Sequence, residues 1–157
     1  MQFTLKVWRQ AGRSTEGHFD SFEVKDIPAE ASFLEMRDIL NSRLETESQI
    51  PVSFDSDCRE GICGTCGMMI DGFAHGQKRL VATCQLYMRD FEDGATITLE
   101  PFRAESFPIV KDLIVDRSAF GRIIQAGGYI SANTGAPPDA NATPVAKVDA
   151  DAAMEAA

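Results

Sequence analysis

The residues of this 157-residue chain with the most distinctive chemistry are its four cysteines. Cys58, Cys63 and Cys66 stand at C-x4-C-x2-C within Cys58-Arg59-Glu60-Gly61-Ile62-Cys63-Gly64-Thr65-Cys66-Gly67, and Cys84 follows after seventeen intervening residues. That is the plant-type ligand spacing for a [2Fe–2S] cluster, in which four thiolates hold two sulfide-bridged irons. Such a cluster is anionic, so its loop must wrap it and turn backbone N–H groups toward sulfur. Gly61, Gly64 and Gly67 permit the positive φ angles and close backbone approach this needs. The expected metal and cofactor ligands are therefore Cys58, Cys63, Cys66 and Cys84, with no catalytic residue among them.

Three other uses of four cysteines compete. Two disulfides suit an oxidising compartment, but Met1-Gln2-Phe3-Thr4-Leu5-Lys6 lacks the basic and apolar regions of a secretory signal. A structural zinc site is the stronger rival. Zinc ligands usually come as paired C-x2-C knuckles, however, and only Cys63 and Cys66 form one here. Four free thiols are the third.

The stretch from Cys58 to Gly67 resembles the cluster loop of the iron–sulfur subunit of succinate dehydrogenases and fumarate reductases. The resemblance continues through Asp71-Gly72, Cys84, Pro101 and Phe107-Pro108-Ile109-Val110-Lys111-Asp112-Leu113-Ile114-Val115-Asp116, covering roughly residues 1–135. It implies a [2Fe–2S] cluster, a separate FAD-containing flavoprotein subunit as partner, and a membrane-anchor subunit reached through a second domain. It also implies a cytoplasmic location, peripheral on the inner face of the cell membrane within the complex. In that family a helical domain follows, carrying [4Fe–4S] and [3Fe–4S] clusters on C-x2-C-x2-C-x3-C-P runs. No cysteine follows Cys84 here, so the chain resembles only the N-terminal half of such a subunit.

Composition sets the outer bounds. The formal charge of −9 argues against nucleic acid and anionic membrane surfaces as partners. No apolar run approaches the roughly eighteen residues of a membrane span, so no direct membrane insertion is expected. An apolar fraction of 44% is enough for one globular core.

The elements that must position the cysteines read as α+β. Residues 2–9 alternate, with Phe3, Leu5 and Val7 on one face of a half-buried strand. A glycine-bearing connection over 10–17 leads to a second strand over 19–26, pairing antiparallel with the first. Ser32-Phe33-Leu34-Glu35 is a capping box. It opens a helix running to about Glu45, with Phe33, Met36, Leu40 and Leu44 on its core stripe. Two strands and a covering helix open a ubiquitin-like β-grasp, the fold the resemblance also implies for a plant-type [2Fe–2S] ferredoxin-like domain.

Beyond the helix, Asp55 and Asp57 precede the first cysteine and would lower a cluster's potential, while Arg59 would act in the opposite sense. Thr65 is placed to donate its hydroxyl toward a cluster sulfur. Asp71-Gly72 predicts a tight hairpin between Gly67–Ile70 and an arm over Phe73–Val81, which returns the chain to Cys84. Residues 95–99 alternate as a last strand, ended at Pro101. His75 reads as a surface residue.

The sequence thus predicts a ferredoxin-like domain over 1–102, followed by a C-terminal helical and linker extension. A bridging segment over 103–130 includes apolar Ile109-Val110 and Leu113-Ile114-Val115. A short helix there is capped by Asp116, carries Ala119, Phe120, Ile123 and Ile124 on one face, and stops at Gly127-Gly128. Without a second domain, part of that apolar face would be exposed. An Ala/Pro/Asp-rich flexible linker over 131–157 follows, with a frayed helix over Val148–Ala157.

The chain has no dinucleotide fingerprint and no nucleophile–base pair, so the function read here is one-electron transfer, from the FAD of the flavoprotein toward quinone or the reverse. The rivals are a free-standing ferredoxin-like carrier, to which residues 101–135 would be superfluous, and a zinc-stabilised interaction module.

Overall fold

Burying Phe3, Leu5 and Val7 on one side of a strand requires a partner on each edge and an apolar cover. The computed structural model, which describes residues 1–78, 81–102, 104–126, 146–148 and 151, supplies all three. Phe3–Arg9 is strand β1 and His18–Val24 is β2. They pair antiparallel, Phe3 opposite Val24 and Arg9 opposite His18.

Helix α1 spans Phe33–Thr46 and opens on the predicted capping box. The Glu35 N–H donates to Ser32 Oγ at 3.2 Å, and the Glu35 carboxylate accepts from the Ser32 N–H. Phe33, Met36, Leu40 and Leu44 are all buried, as the stripe requires. Ser32→Ala removes the acceptor of the first turn and is expected to cost about 1 kcal/mol of stability. A shift in urea midpoint measures it, and an unchanged midpoint would mean that tertiary packing alone holds the helix start.

Strands β3 (Met69–Ile70) and β4 (Phe73–Ala74) are joined by Asp71-Gly72, at φ 50° and 80°. Positive φ at both turn residues matches the twist of the strands they join. The Asp71 side chain also accepts from the Thr98 N–H at 2.7 Å, locking the hairpin to strand β5, Thr96–Glu100. The arm expected over Phe73–Val81 is strand only at Phe73–Ala74. His75 and Gly76, both at positive φ, turn the chain away, and Arg79 and Leu80 lie outside the described residues.

The sheet order is β2-β1-β5-β3-β4, with β1 and β5 parallel at its centre and the other neighbours antiparallel. The core lies between this mixed sheet and α1, built from β1, β5, the helix stripe, Val24, Ile27, Met68 and Met88.

The chain divides into two compact units, Met1–Asp116 and Arg117–Ala157. Strands β6 (Ile109–Lys111) and β7 (Ile114–Val115) belong to the first and form a small antiparallel hairpin. Its tip inserts Leu113, 3% exposed, into the main core. Val115 is also buried, so part of the apolar demand of this segment is met within the unit, while Val110 remains about half exposed at 52%.

In the second unit, Ser118–Gln125 forms helix α2, starting within a residue of the position a cap at Asp116 implies. Phe120 is exposed on it. The Gly127-Gly128 stop and the linker over 131–157, with its terminal helix, fall outside the described residues apart from 146–148 and 151. No helix among the described residues is long and apolar enough to cross a membrane.

Candidate metal centre

The cysteine loop lies between α1 and β3, and α1 holds it from two sides. Asn41 donates to the Val52 carbonyl and accepts from the Val52 N–H, both at 2.9 Å, fixing the entry to the loop. Further on, Arg59 makes a two-pronged ion pair with Asp38. The charge expected to raise a cluster's potential at Arg59 is thus shared with a carboxylate, at an exposed position where such pairs are weak.

Between Arg59 and Gly64 the backbone enters the left-handed region three times, at Arg59, Gly61 and Gly64 (φ 58°, 75° and 70°). The turns aim successive N–H groups at sulfur. Glu60, Ile62 and Cys63 point theirs at Cys58 Sγ, at 3.4, 3.4 and 3.3 Å, and Gly61 donates to Cys84 Sγ at 3.1 Å. One short segment therefore addresses both the first cysteine of the motif and the distant fourth. Gly67 serves differently from the expectation of positive φ: a Cβ there would sit 2.7 Å from His75 Cε1 and 2.9 Å from Phe102. His75 is accordingly a half-buried packing residue, edge-on to Phe102 at 5.6 Å, rather than a surface one.

The four thiols fall into two unlike pairs. Cys63 is exposed and Cys58 half-buried, and the Cys58 thiol acts directly on that of Cys63. Cys66 and Cys84 are both 4% exposed, lie side by side, and pack with Leu34 of α1 against Phe54 and Ala82. The Thr65 hydroxyl lies 3.1 Å from Cys63 Sγ. That contact, with N–H groups of the loop, pulls the Cys63 thiol down to about 6, whereas burial pushes Cys66 up.

Protein stripped of metal is therefore expected to alkylate with iodoacetamide at Cys63 well before Cys66 at neutral pH, since the thiolate is the nucleophile. Because the shift is downward, the Cys63 rate holds at neutral pH and falls as pH drops through about 6. A profile turning at the ordinary thiol value, about 8.5, would defeat this account.

Among the described residues, no group of three or more His, Cys, Asp or Glu side chains is gathered tightly enough to hold a metal ion. The loop's N–H groups reach one thiol of each pair, Cys58 and Cys84, and four thiols taken in pairs are the donor set of a two-iron cluster, two at each iron. Asp55 is half-buried and Asp57 exposed. A residue the sequence reading passed over lies behind the site. Arg37 of α1 is 1% exposed, stacked over Phe54 with its guanidinium carbon 4.0 Å from the ring centre.

A family model described as a 2Fe-2S iron-sulfur cluster binding domain matches residues 4–122. The chain is 37% identical over 115 residues to the fumarate reductase iron-sulfur subunit of Wolinella succinogenes, covering 72% of this chain and 42% of that protein. It is 29% identical over 119 residues to the mitochondrial succinate dehydrogenase [ubiquinone] iron-sulfur subunit 2 of Oryza sativa subsp. japonica, covering 76% of this chain and 34% of that one. It thus spans less than half the length of these relatives. A chain of the Mycobacterium smegmatis Sdh1 complex in the apo form superposes with a TM-score of 0.62 at 22% identity, over 96% of this chain and 56% of that one, a likeness of fold. With the cysteine spacing, the sulfur-directed loop and a family match over most of its length, the chain belongs to the 2Fe-2S iron-sulfur cluster binding domain family.

Proposed function

We propose that Cys58, Cys63, Cys66 and Cys84 hold a [2Fe–2S] cluster in a ubiquitin-like β-grasp domain. The chain then works as an electron-transferring part of a succinate dehydrogenase or fumarate reductase. The observation that supports this most is the turn sequence over residues 59–64. It directs N–H groups at both Cys58 and Cys84 and so draws the fourth cysteine to the motif. Cys58 with Cys63, and Cys66 with Cys84, are the natural pairs for the two irons. When bound, the cluster supplies one-electron exchange.

The residues around it divide the remaining work. Loop N–H groups and the Thr65 hydroxyl offset the negative charge on sulfur. Leu34, Phe54 and Ala82 keep water from Cys66 and Cys84. The other edge faces outward: Cys63 is exposed and Ile62 beside it is 78% exposed, an apolar tip suited to contact a partner. In this reading that partner is an FAD-containing flavoprotein subunit. In this reading the cluster domain occupies 1–102, residues 103–130 bridge toward a further domain that reaches a membrane-anchor subunit, with their β6–β7 hairpin folded onto the cluster domain's core, and 131–157 are linker. The location that follows is the cytoplasmic face of the cell membrane. Zinc binding and a free-standing carrier are the readings the relatives do not favour.

The test is an absorption spectrum of anaerobically purified protein before and after dithionite, with iron, sulfide and zinc assayed on the same sample. Broad visible bands that bleach on reduction, with about two irons and two sulfides per chain, are expected. Colourless protein holding zinc, or protein that cannot be reconstituted with iron and sulfide, overturns the proposal.

A further inference from the structure

Arg37 is a buried side chain whose environment the fold alone does not explain. Its guanidinium is buried, yet it makes no ion pair within 4 Å to a described carboxylate, and its Nε and Nη2 have no hydrogen-bond partner. Nη1 points at Met68 Sδ, 3.3 Å away, a weak acceptor for a cation. The Phe54 ring supplies a cation–π contact, which does not replace a counter-ion. Burying an unpaired charge is costly, and buried charges are ordinarily paired. Burial pulls the guanidinium down only to about 9, with Asp38 and Asp112 acting the other way, so it stays a cation at neutral pH. Asp112 is in any case engaged by Arg9, and Asp38 by Arg59.

The packing around Arg37 connects it, through Phe54, to the buried thiol pair. Phe54, under the guanidinium, packs on the group formed by Leu34, Cys66 and Cys84. Leu34 and Arg37 are three residues apart on α1 and so share a face, and α1 packs against the 3-10 turn over Thr83–Gln85 that carries Cys84. Met68, which takes Nη1, is two residues beyond Cys66. The cation thus sits about one side-chain layer behind the buried half of the cysteine site.

We propose that Arg37 is the buried counter-charge of this site, held behind Cys66 and Cys84 by Phe54 and Leu34, and that it favours the reduced cluster. The inference rests on the cluster assignment above. On reduction the cluster accepts one electron from its donor and becomes more negative, while Arg37 keeps its proton. A fixed cation across low-dielectric packing stabilises that added charge without moving. Arg37 touches neither iron nor sulfur in this scheme and acts on the potential alone.

The experiment compares wild type, R37M and R37K, each assayed for iron and sulfide and then titrated for its reduction midpoint with optical detection. R37M, close in length and uncharged, is expected to make reduction at least tenfold less favourable, a fall of about 59 mV for a one-electron couple. R37K, which keeps the charge, is expected to retain most of the wild-type potential. A fully loaded R37M with the wild-type midpoint overturns the proposal, as does an R37K that falls as far as R37M.

The melting temperature of cluster-free protein gives a second reading should R37M load poorly. Removing an uncompensated buried cation should raise it, whereas a lower value would mark Arg37 as a packing residue only and defeat the proposal. Wild type that holds no iron and sulfide defeats the cluster assignment itself, and loaded wild type with an unmoved R37M defeats only the role of Arg37.

Discussion

Cys84→Ala is expected to yield a colourless protein that is still folded. Cys84 is 4% exposed, receives the Gly61 N–H and neighbours Cys66, so in the proposed site its loss leaves one iron with a single thiolate. The fold should survive, because the main core is built from β1, β5 and the α1 stripe, and Cys66 and Cys84 pack in a separate small group with Leu34. Iron and sulfide should fall to near zero while far-ultraviolet circular dichroism stays as in wild type. Cys63→Ser is the gentler counterpart. At this exposed site a hydroxyl replaces a thiolate, and the visible spectrum should shift or disappear. An unchanged spectrum and iron content in either variant would remove that cysteine from the ligand set.

Asp112→Ala is the substitution expected to destabilise the fold most. Asp112 is 2% exposed and caps three donors: the Gln10 N–H and the Ser53 N–H, each at 2.9 Å, and Arg9 Nε at 3.3 Å. It joins the end of β1, the loop leading to the cysteines and the β6–β7 turn. Its own N–H donates to the Gln10 carbonyl, and Leu113 next to it donates to Ser53. Alanine would leave Arg9 partly buried without its carboxylate, at a cost of about 3–5 kcal/mol. Alanine also tolerates the φ of 46° less well than aspartate. Asp112→Asn keeps an acceptor and the backbone preference and should cost less. Urea unfolding of the three proteins checks the order, and an Asp112→Ala midpoint equal to wild type would refute it.

Much of the architecture could be read before folding was considered. The alternation at Phe3, Leu5 and Val7, the capping box at Ser32 and the Asp71-Gly72 turn are local patterns. Each is set by backbone geometry over a few residues, and each appears where the pattern puts it. The cysteine spacing is of the same kind, since ligand spacing in a loop is a property of chain reach. The parallel pairing of β1 with β5 joins segments about ninety residues apart, and no short-range pattern encodes it. His75 read as a surface residue because a polar ring near a hairpin usually is one. Its packing on Phe102 depends on where β5 delivers the chain.

Arg37 and Asp112 show the boundary most clearly. In the linear chain Arg37 lies between Met36 and Asp38 on a helix, and Asp112 between Lys111 and Leu113, both ordinary settings for solvated charges. Burial is decided by which faces meet when the helix covers the sheet and the β6–β7 turn folds back. The cost of a buried charge depends on partners brought from fifty or a hundred residues away. The amino-acid sequence thus carries the chemistry proposed for the centre, four thiols at cluster spacing, three of them in a loop that turns at glycines. Tertiary packing alone assigns the charges behind and beside it, because electrostatic energy follows distance and dielectric in three dimensions and not position along the chain.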